Sequence, residues 1–395
     1  MSSLPTITLL PDRHARLRAG HPWVYSNEVV MDVAAKALPA GTLVRLSASN
    51  GHKLGTALFN PHTLVAARVV SRDDIAALDA PFLTARLGEA LALREALFDA
   101  PYYRLVHAEA DGLPGTVIDR YGDVVVVQLN TAGMAAHQSA LLDALESVLS
   151  PRAIVLRNDT AARGTEGLDE EVRVARGALD GPIDIIENGC GFQVDVLGGQ
   201  KTGWFFDQRD NRAAVAHLAR GRTVLDIFCY GGGFGIQAGM AGATSVLLAD
   251  SSKPALDNAA VSAAHNGIAA IVSTAAGDAF RTLDRLESLG ERFGIVVADP
   301  PAFAKSRKDV PAALQAYRKL ARQAAKLVAP GGFLFIASCS HNIETDNFAE
   351  AVRGGLSRAE RNGRILRSSG AAADHPVHPF LPESAYLKAT LLQLD

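Results

Sequence analysis

Cys339 stands between two serines and two residues ahead of a histidine, in Ser338-Cys339-Ser340-His341. A nucleophilic cysteine must be reachable and must be able to become a thiolate. Small polar neighbours suit that better than they suit a core cysteine, whereas Cys190 and Cys229 read as ordinary buried thiols. Upstream lies Asp299-Pro300-Pro301-Ala302-Phe303. Two prolines fix the backbone there, the carboxylate is suited to a hydrogen bond with a base edge, and Phe303 is suited to stacking on it. A rigid strand exit with Phe303 in the core is the plainer alternative. Lys305 and Ser306 follow, fit either for a phosphate contact or for a solvated loop.

A third cluster starts at Asp226-Ile-Phe228-Cys-Tyr230-Gly231-Gly232-Gly-Phe-Gly235. Glycines after an apolar run let the backbone approach a ligand and open a helix. A dinucleotide fingerprint begun at Gly231 fails, because its third glycine position is Ile236. A P-loop fails as well, because Gly199-Gln200-Lys201-Thr202 has Gln where Gly must precede Lys.

The elements that would position these residues alternate strand and helix. Apolar runs at 223–228, 244–248, 271–274, 295–298 and 332–337 end at or near Asp226, Asp250, Asp278, Asp299 and Ser338. Such runs with helices between them predict a parallel sheet covered on both faces, with functional residues at the carboxyl ends of its strands. A carboxylate at a second strand end can accept both hydroxyls of a ribose. One after a third strand can sit beside an adenine edge, with Ala279 next to it. Acid so near the turn would repel a pyrophosphate but tolerates the cationic sulfonium of S-adenosylmethionine. Taken singly, each Asp is a common cap or turn residue.

Earlier in the chain, 42–46 and 64–70 read as strands of a small β-barrel, separated by turns at Asn50-Gly51 and Asn60-Pro61. Residues 73–99 have helical spacing. A hairpin at 117–129, a helix over 135–148 and a strand at 153–157 complete an α+β unit. Charge follows the same division. Residues 1–72 carry 8 basic and 3 acidic groups, residues 73–190 carry 9 and 20 with no lysine, and residues 191–395 carry 22 and 19, within a net charge of −3. The outer segments can face a polyanion; the middle one cannot do so broadly. Three dispersed cysteines exclude a disulfide scaffold and leave little for zinc. Pro376 between His375 and His378 argues against a helical metal pair, so no metal is expected. Without a basic start and apolar stretch at Met1-Ser-Ser-Leu-Pro5, or any run of about 18–20 apolar residues, the expected location is the cytoplasm and not a membrane.

These motifs together resemble class I S-adenosylmethionine-dependent methyltransferases. Within that class the chain resembles the bacterial large-subunit ribosomal RNA cytosine-C5 methyltransferases that begin with a PUA domain. Gly20-His-Pro-Trp23-Val-Tyr-Ser26 is similar to the family's opening, Arg104 to Gly115 with Asp119 to Asp123 to its central domain, and Gly199 to Arg212 to its lead-in to the cofactor site. Asn342 departs from the pattern, since many relatives have a second His there.

The resemblance implies a PUA-like RNA-binding domain at 1–72, a central α+β domain at 73–188 and a Rossmann-like doubly wound methyltransferase domain at 189–395. It implies S-adenosylmethionine on Gln208, Arg209, Asp226, Phe228, Tyr230, Gly231, Gly232, Asp250, Asp278, Ala279 and Asp299. Catalysis would fall to Cys339 as nucleophile with Asp299 assisting. The RNA would meet Pro300, Pro301, Phe303, Lys305 and Ser306, with Arg13, Arg16 and Trp23 of the basic module. Two other readings stay open: methylation of a guanine or adenine nitrogen, which needs no Cys339, and a non-catalytic RNA-binding assembly factor. The oligomeric state is open, a homodimer included.

Overall fold

The computed structural model describes residues 4–395, which fold into two compact units. One comprises the chain up to Pro182 with Asp195–Trp204 and Ala373–Ser384; the other comprises Ile183–Val194, Phe205–Ala372 and Ala385–Asp395.

The first unit contains two five-stranded sheets. Thr6–Thr8, Thr42–Ser47, Lys53–Phe59, Val65–Ser71 and Trp23–Tyr25 lie side by side in that order. Leu10 N–H donates to Glu28 O at 2.8 Å and Val30 N–H to Thr8 O at 2.9 Å, which ties the two edges and closes the sheet into a barrel. Alternate residues such as Val44, Leu46, Ala57 and Phe59 point inward and fill it. Closure removes the exposed edges that a small sheet otherwise presents.

The second sheet runs Glu171–Gly177, Ala153–Asn158, Val124–Leu129, Thr116–Tyr121, Tyr102–His107. The helix Ala80–Leu97 packs Leu83 and Leu87 into its core. The expected single helix over 135–148 is two, Ala132–Ala136 and Gln138–Leu149, broken at His137, whose Nδ1 lies 2.8 Å from Gly133 O. The strands at 102–107 and 171–177 were not anticipated; both sit at the edges of this sheet, where polar residues blur the alternation.

The second unit is built on a seven-stranded sheet. We label its strands β1 (Thr223–Ile227), β2 (Ser245–Asp250), β3 (Val272–Ala276), β4 (Phe293–Ala298), β5 (Val328–Ser338), β6 (Gly363–Ser369) and β7 (Lys388–Leu394). The helices are α1 (Arg209–His217), α2 (Gly233–Met240), α3 (Lys253–His265), α4 (Ala279–Ser288), α5 (Val310–Leu327) and α6 (Thr345–Arg358). The order is 3-2-1-4-5-7-6, a doubly wound arrangement. β1 to β5 are parallel, and β7 runs antiparallel between β5 and β6. The expectation of a wholly parallel sheet is corrected at this edge. β7 alternates too weakly to stand out in sequence, and six of seven β6 residues are exposed.

The hairpin Ile183–Glu187 with Cys190–Val194 belongs to this second unit. The domain boundary expected at 188 falls on its turn, at Asn188 (φ 52°) and Gly189 (φ 78°). Pairing keeps both strands on one side of any division.

Candidate active site

β1 lies between β2 and β4, so the chain reverses its winding direction at β1. A crevice outside the carboxyl ends of the strands opens at such a point. Register places Ile227 beside both Ala249 and Ala298. The residues that follow, Phe228, Asp250 and Asp299, therefore emerge at one edge.

The turn after β1 is strained. Phe228 (φ 60°) and Tyr230 (φ 47°) occupy the left-handed region, which costs a residue with a Cβ about 1–2 kcal/mol. Backbone outliers held by their surroundings concentrate at functional sites. Here Cys229 N–H donates to Ala249 O (3.1 Å), Gly232 N–H to Cys229 O (2.8 Å) and Tyr230 N–H to Asp250 Oδ2 (2.9 Å). Gly232 (φ 77°) opens α2, and a Cβ on Gly233 would meet Arg212 Nε at 2.6 Å. The glycines are required by close packing as well as by conformation.

Three of the carboxylates read from the sequence, Asp226, Asp250 and Asp278, have a local structural duty. Asp226 is buried inside β1, and its Oδ2 accepts from Gly235 N–H at 2.9 Å while Oδ1 has no hydrogen-bond partner. Burial raises its pKa to about 7, with the negative charges of Asp299 and Asp250 adding to the rise and the Gly235 N–H and Arg212 opposing it. Asp250 Oδ1 also takes Ser252 N–H at 2.8 Å. Asp278 is exposed and caps α4 by accepting Arg281 N–H at 3.0 Å, ahead of buried Ala279. Asp226, Asp250 and Asp299 thus form one acidic cluster, with an orphaned buried oxygen in it. That set of carboxylate oxygens fits a cationic group and opposes a phosphate.

Gln208 and Arg209 are buried at the start of α1. Gln208 Oε1 accepts from Asn211 Nδ2 (2.7 Å), and the Arg209 guanidinium lies 5.4 Å from the Phe206 ring centre. Sequence reasoning passed over their support. Glu187, wholly buried, accepts from Arg212 Nη1 (2.7 Å) and Gln237 Nε2 (3.0 Å), joining the hairpin to α1 and α2.

Cys339 follows β5 immediately and is partly exposed, unlike Cys190 and Cys229. Burial pushes the Cys190 thiol up to about 11 and raises Cys229 well above its ordinary value, so neither is a nucleophile near neutral pH. The Cys339 Sγ lies 3.9 Å from the Pro300 carbonyl oxygen, so the β4 and β5 exits meet. Buried Tyr317 of α5 locks them. Its hydroxyl takes a 2.8 Å bond from Ser338 Oγ and shares a 3.0 Å bond with Ser340 Oγ, which accepts Ala304 N–H at 3.3 Å. This hydroxyl triad was not foreseen; its sequence trace is the pair of serines around Cys339.

The substrate-side residues divide. Pro300 is buried and Pro301 exposed. Phe303 packs on Tyr317 (4.8 Å), Phe280 (6.3 Å) and Phe228 (6.5 Å) at the rim of the core, so its ring is committed first to holding the loop. Ser306 accepts and donates within a capping box with Asp309 and so shapes the loop; Lys305 is exposed. In the first unit Arg13 is exposed. Arg16 is paired with Glu28 at 3.1 Å and lies over the Tyr25 ring. Trp23 donates its indole N–H to Glu109 at 2.7 Å under the Arg68 guanidinium. His375 Nδ1 lies 2.8 Å from Asp374 Oδ1, and His378 Nδ1 accepts Phe380 N–H. Among the described residues no three His, Cys, Asp or Glu side chains gather as a metal site.

Residues 169–379 match the family of S-adenosylmethionine-dependent methyltransferases, and residues 7–72 match the PUA-like domain. The chain belongs to the S-adenosylmethionine-dependent methyltransferases. It is 37% identical to the ribosomal RNA large subunit methyltransferase I of Shewanella denitrificans, over 98% of this chain and 99% of that one. It is 36% identical to the protein of the same name from Vibrio cholerae, over 97% and 98%. A solved SAM-dependent methyltransferase from Streptococcus mutans has the same fold, with a TM-score of 0.83 at 20% identity, covering 99% of this chain and 100% of that one. A methyltransferase solved in complex with SAH gives 0.84, also at 20%, with the same coverage. S-adenosylmethionine is this methyltransferase's cofactor, and the acidic cluster at the β1, β2 and β4 exits is chemically suited to its cationic end.

Proposed function

We propose that this methyltransferase forms 5-methylcytosine in large-subunit (23S) ribosomal RNA through a covalent Cys339 adduct at cytosine C6. The juxtaposition of Cys339 Sγ with the Asp299-Pro300 exit carries the reading. Carbon 5 of cytosine is a poor nucleophile. Addition of a thiolate at C6, with a proton delivered to N3, makes C5 enamine-like. When bound, S-adenosylmethionine supplies an electrophilic methyl group. Loss of the C5 proton to a base then expels the sulfur, and N3 returns its proton to the Asp299 carboxylate, which restores the ring. Asp299 hydrogen-bonds and protonates N3, and the prolines hold it there. Methylation at nitrogen needs no thiol.

The RNA target rests on the names of the relatives, the PUA-like domain and the basic first module. The work is assigned to the cytoplasm, where such RNA is found; among the described residues no helix is long and apolar enough to cross a membrane. Residues 1–72 bind RNA through Arg13, Arg16 and Trp23, residues 73–188 form the central domain, and residues 189–395 bind S-adenosylmethionine. In that last segment the ribose lies on Asp250, the adenine lies beside Asp278 and Ala279, and the remaining contacts come from Gln208, Arg209 and 226–232.

RNA with 5-fluorocytosine at the target tests this, because fluorine cannot leave C5 as a proton does. The expected result is a denaturation-resistant adduct carrying the transferred methyl group, mapped to Cys339. Cys339→Ala should abolish transfer and keep cofactor affinity. Full turnover by Cys339→Ala, or methyl groups found on nitrogen, would refute the mechanism.

A further inference from the structure

Lys388 is the first residue of β7, and it is almost completely buried. Because β7 runs antiparallel, its beginning lies at the carboxyl end of the sheet, and register pairs Lys388 with Ser338, the residue before Cys339. The Lys388 Nζ donates to Ser340 O and to Tyr386 O, each at 2.8 Å. These bonds clamp the ammonium against the backbone beside the candidate nucleophile. A buried ammonium is costly unless a negative charge answers it. Its two carbonyl partners are neutral.

We infer that Lys388 is the positioning residue of Cys339, the cation that holds its sulfur as a thiolate and fixes the loop from which it attacks. The inference rests on the reading of Cys339 as nucleophile. Burial lowers the Lys388 pKa on balance, and Cys339 is the group that opposes this pull, so a thiolate there would answer the ammonium. Other titratable groups border the sulfur. Tyr317 on α5 is raised by burial and also feels Cys339, so it stays a neutral hydroxyl at physiological pH. Asp299 comes from the β4 exit; ionised it opposes a thiolate, and carrying the proton that N3 receives it does not. His341 follows Cys339 and stacks on Tyr386 with ring centres 5.0 Å apart. Lys388 is the cation that β7 contributes to this group.

The test is the pH profile of Cys339 alkylation by iodoacetamide, read peptide by peptide in the full-length protein without RNA. Wild type should show a Cys339 midpoint below the ordinary thiol value of about 8.5. Lys388→Met should raise that midpoint and slow labelling at pH 7 about tenfold, the effect of removing one opposite charge at close range. Cys190 and Cys229 should stay unlabelled in both proteins, which reports that the variant is folded. A wild-type midpoint at or above the ordinary thiol value overturns the inference even if Lys388→Met does not fold, and so does an unchanged midpoint in a folded Lys388→Met. Because no RNA is present, this result is separable from the reaction. A lowered midpoint without a 5-fluorocytosine adduct would sink the cytosine reading alone, and an adduct with an unchanged midpoint would sink the role of Lys388 alone.

Discussion

Asp226 changes charge near neutral pH. Its folded pKa of about 7 lies well above the usual carboxylate value, chiefly because it is buried. The folded state therefore holds this proton more tightly than the unfolded chain does. The contribution to stability is fully present at pH near 4, declines as pH rises, and levels off above about 7. A bound cation reverses the preference and draws the proton off. Affinity for S-adenosylmethionine should accordingly rise between about pH 5.5 and 8, with proton release detected by calorimetry in buffers of different ionisation enthalpy. Asp226→Asn should keep an acceptor for Gly235 N–H and flatten both dependences; an unchanged affinity slope in that variant would place the titrating group elsewhere. The placement of these residues was legible from their types and spacing, since the Asp299 exit, Cys339 and the acidic turn all lie at the carboxyl ends of the strands. Their partners were not legible, because a hydrogen bond such as Tyr317 to Ser338 or an ion pair such as Arg212 to Glu187 joins residues over 20 apart and leaves no local pattern.

At the scale of elements, the Cys339 loop depends on α5. Tyr317 Oη bridges Ser338 and Ser340 from the helix side, and its ring wedges between Phe303 and Phe348. Tyr317→Phe keeps the ring and deletes the bridge. It should cost about 1–3 kcal/mol in urea denaturation, the usual penalty for leaving buried hydroxyl partners unsatisfied. Methyl transfer should fall further than stability accounts for, with cofactor affinity unchanged. Equal transfer by the variant would show that the loop is held by Lys388 and Phe303 without the hydroxyl. β1, β2, β4 and β5 were readable because a covered strand is apolar along most of its length, whereas β3, at the other edge and without a buried residue, was readable only from its place in the strand–helix alternation. β6 and β7 were not: β6 lies at an exposed edge, and β7 opens on a buried lysine, which interrupts the apolar signal.

For the whole molecule the informative quantity is where charge is placed. The first 72 residues carry a clear basic excess and the next segment a larger acidic one. The barrel explains which of those basic groups are available. Arg16 is engaged by Glu28, and Arg68 by Glu109 and Trp23, whereas Arg13 and Arg18 are exposed around the short helix Ala15–Ala19. The basic excess was legible from composition, but the sorting of its members was not, since it follows from barrel packing between residues far apart in the chain. If this face meets the phosphate backbone, RNA affinity should fall steeply between about 50 and 300 mM salt, as counterions released on binding compete. Replacing Arg13 and Arg18 together by Ala should weaken RNA binding and reduce the slope of log K against log salt by roughly 0.7–0.9 for each phosphate that is no longer neutralised. Arg16→Ala should weaken binding less and lower barrel stability by up to about 1 kcal/mol, as expected of an exposed ion pair. Cofactor affinity should be untouched in all of these, because the acidic cluster belongs to the other unit. A double variant with wild-type affinity and slope would move the RNA-binding surface off this face and leave the basic excess as surface solvation.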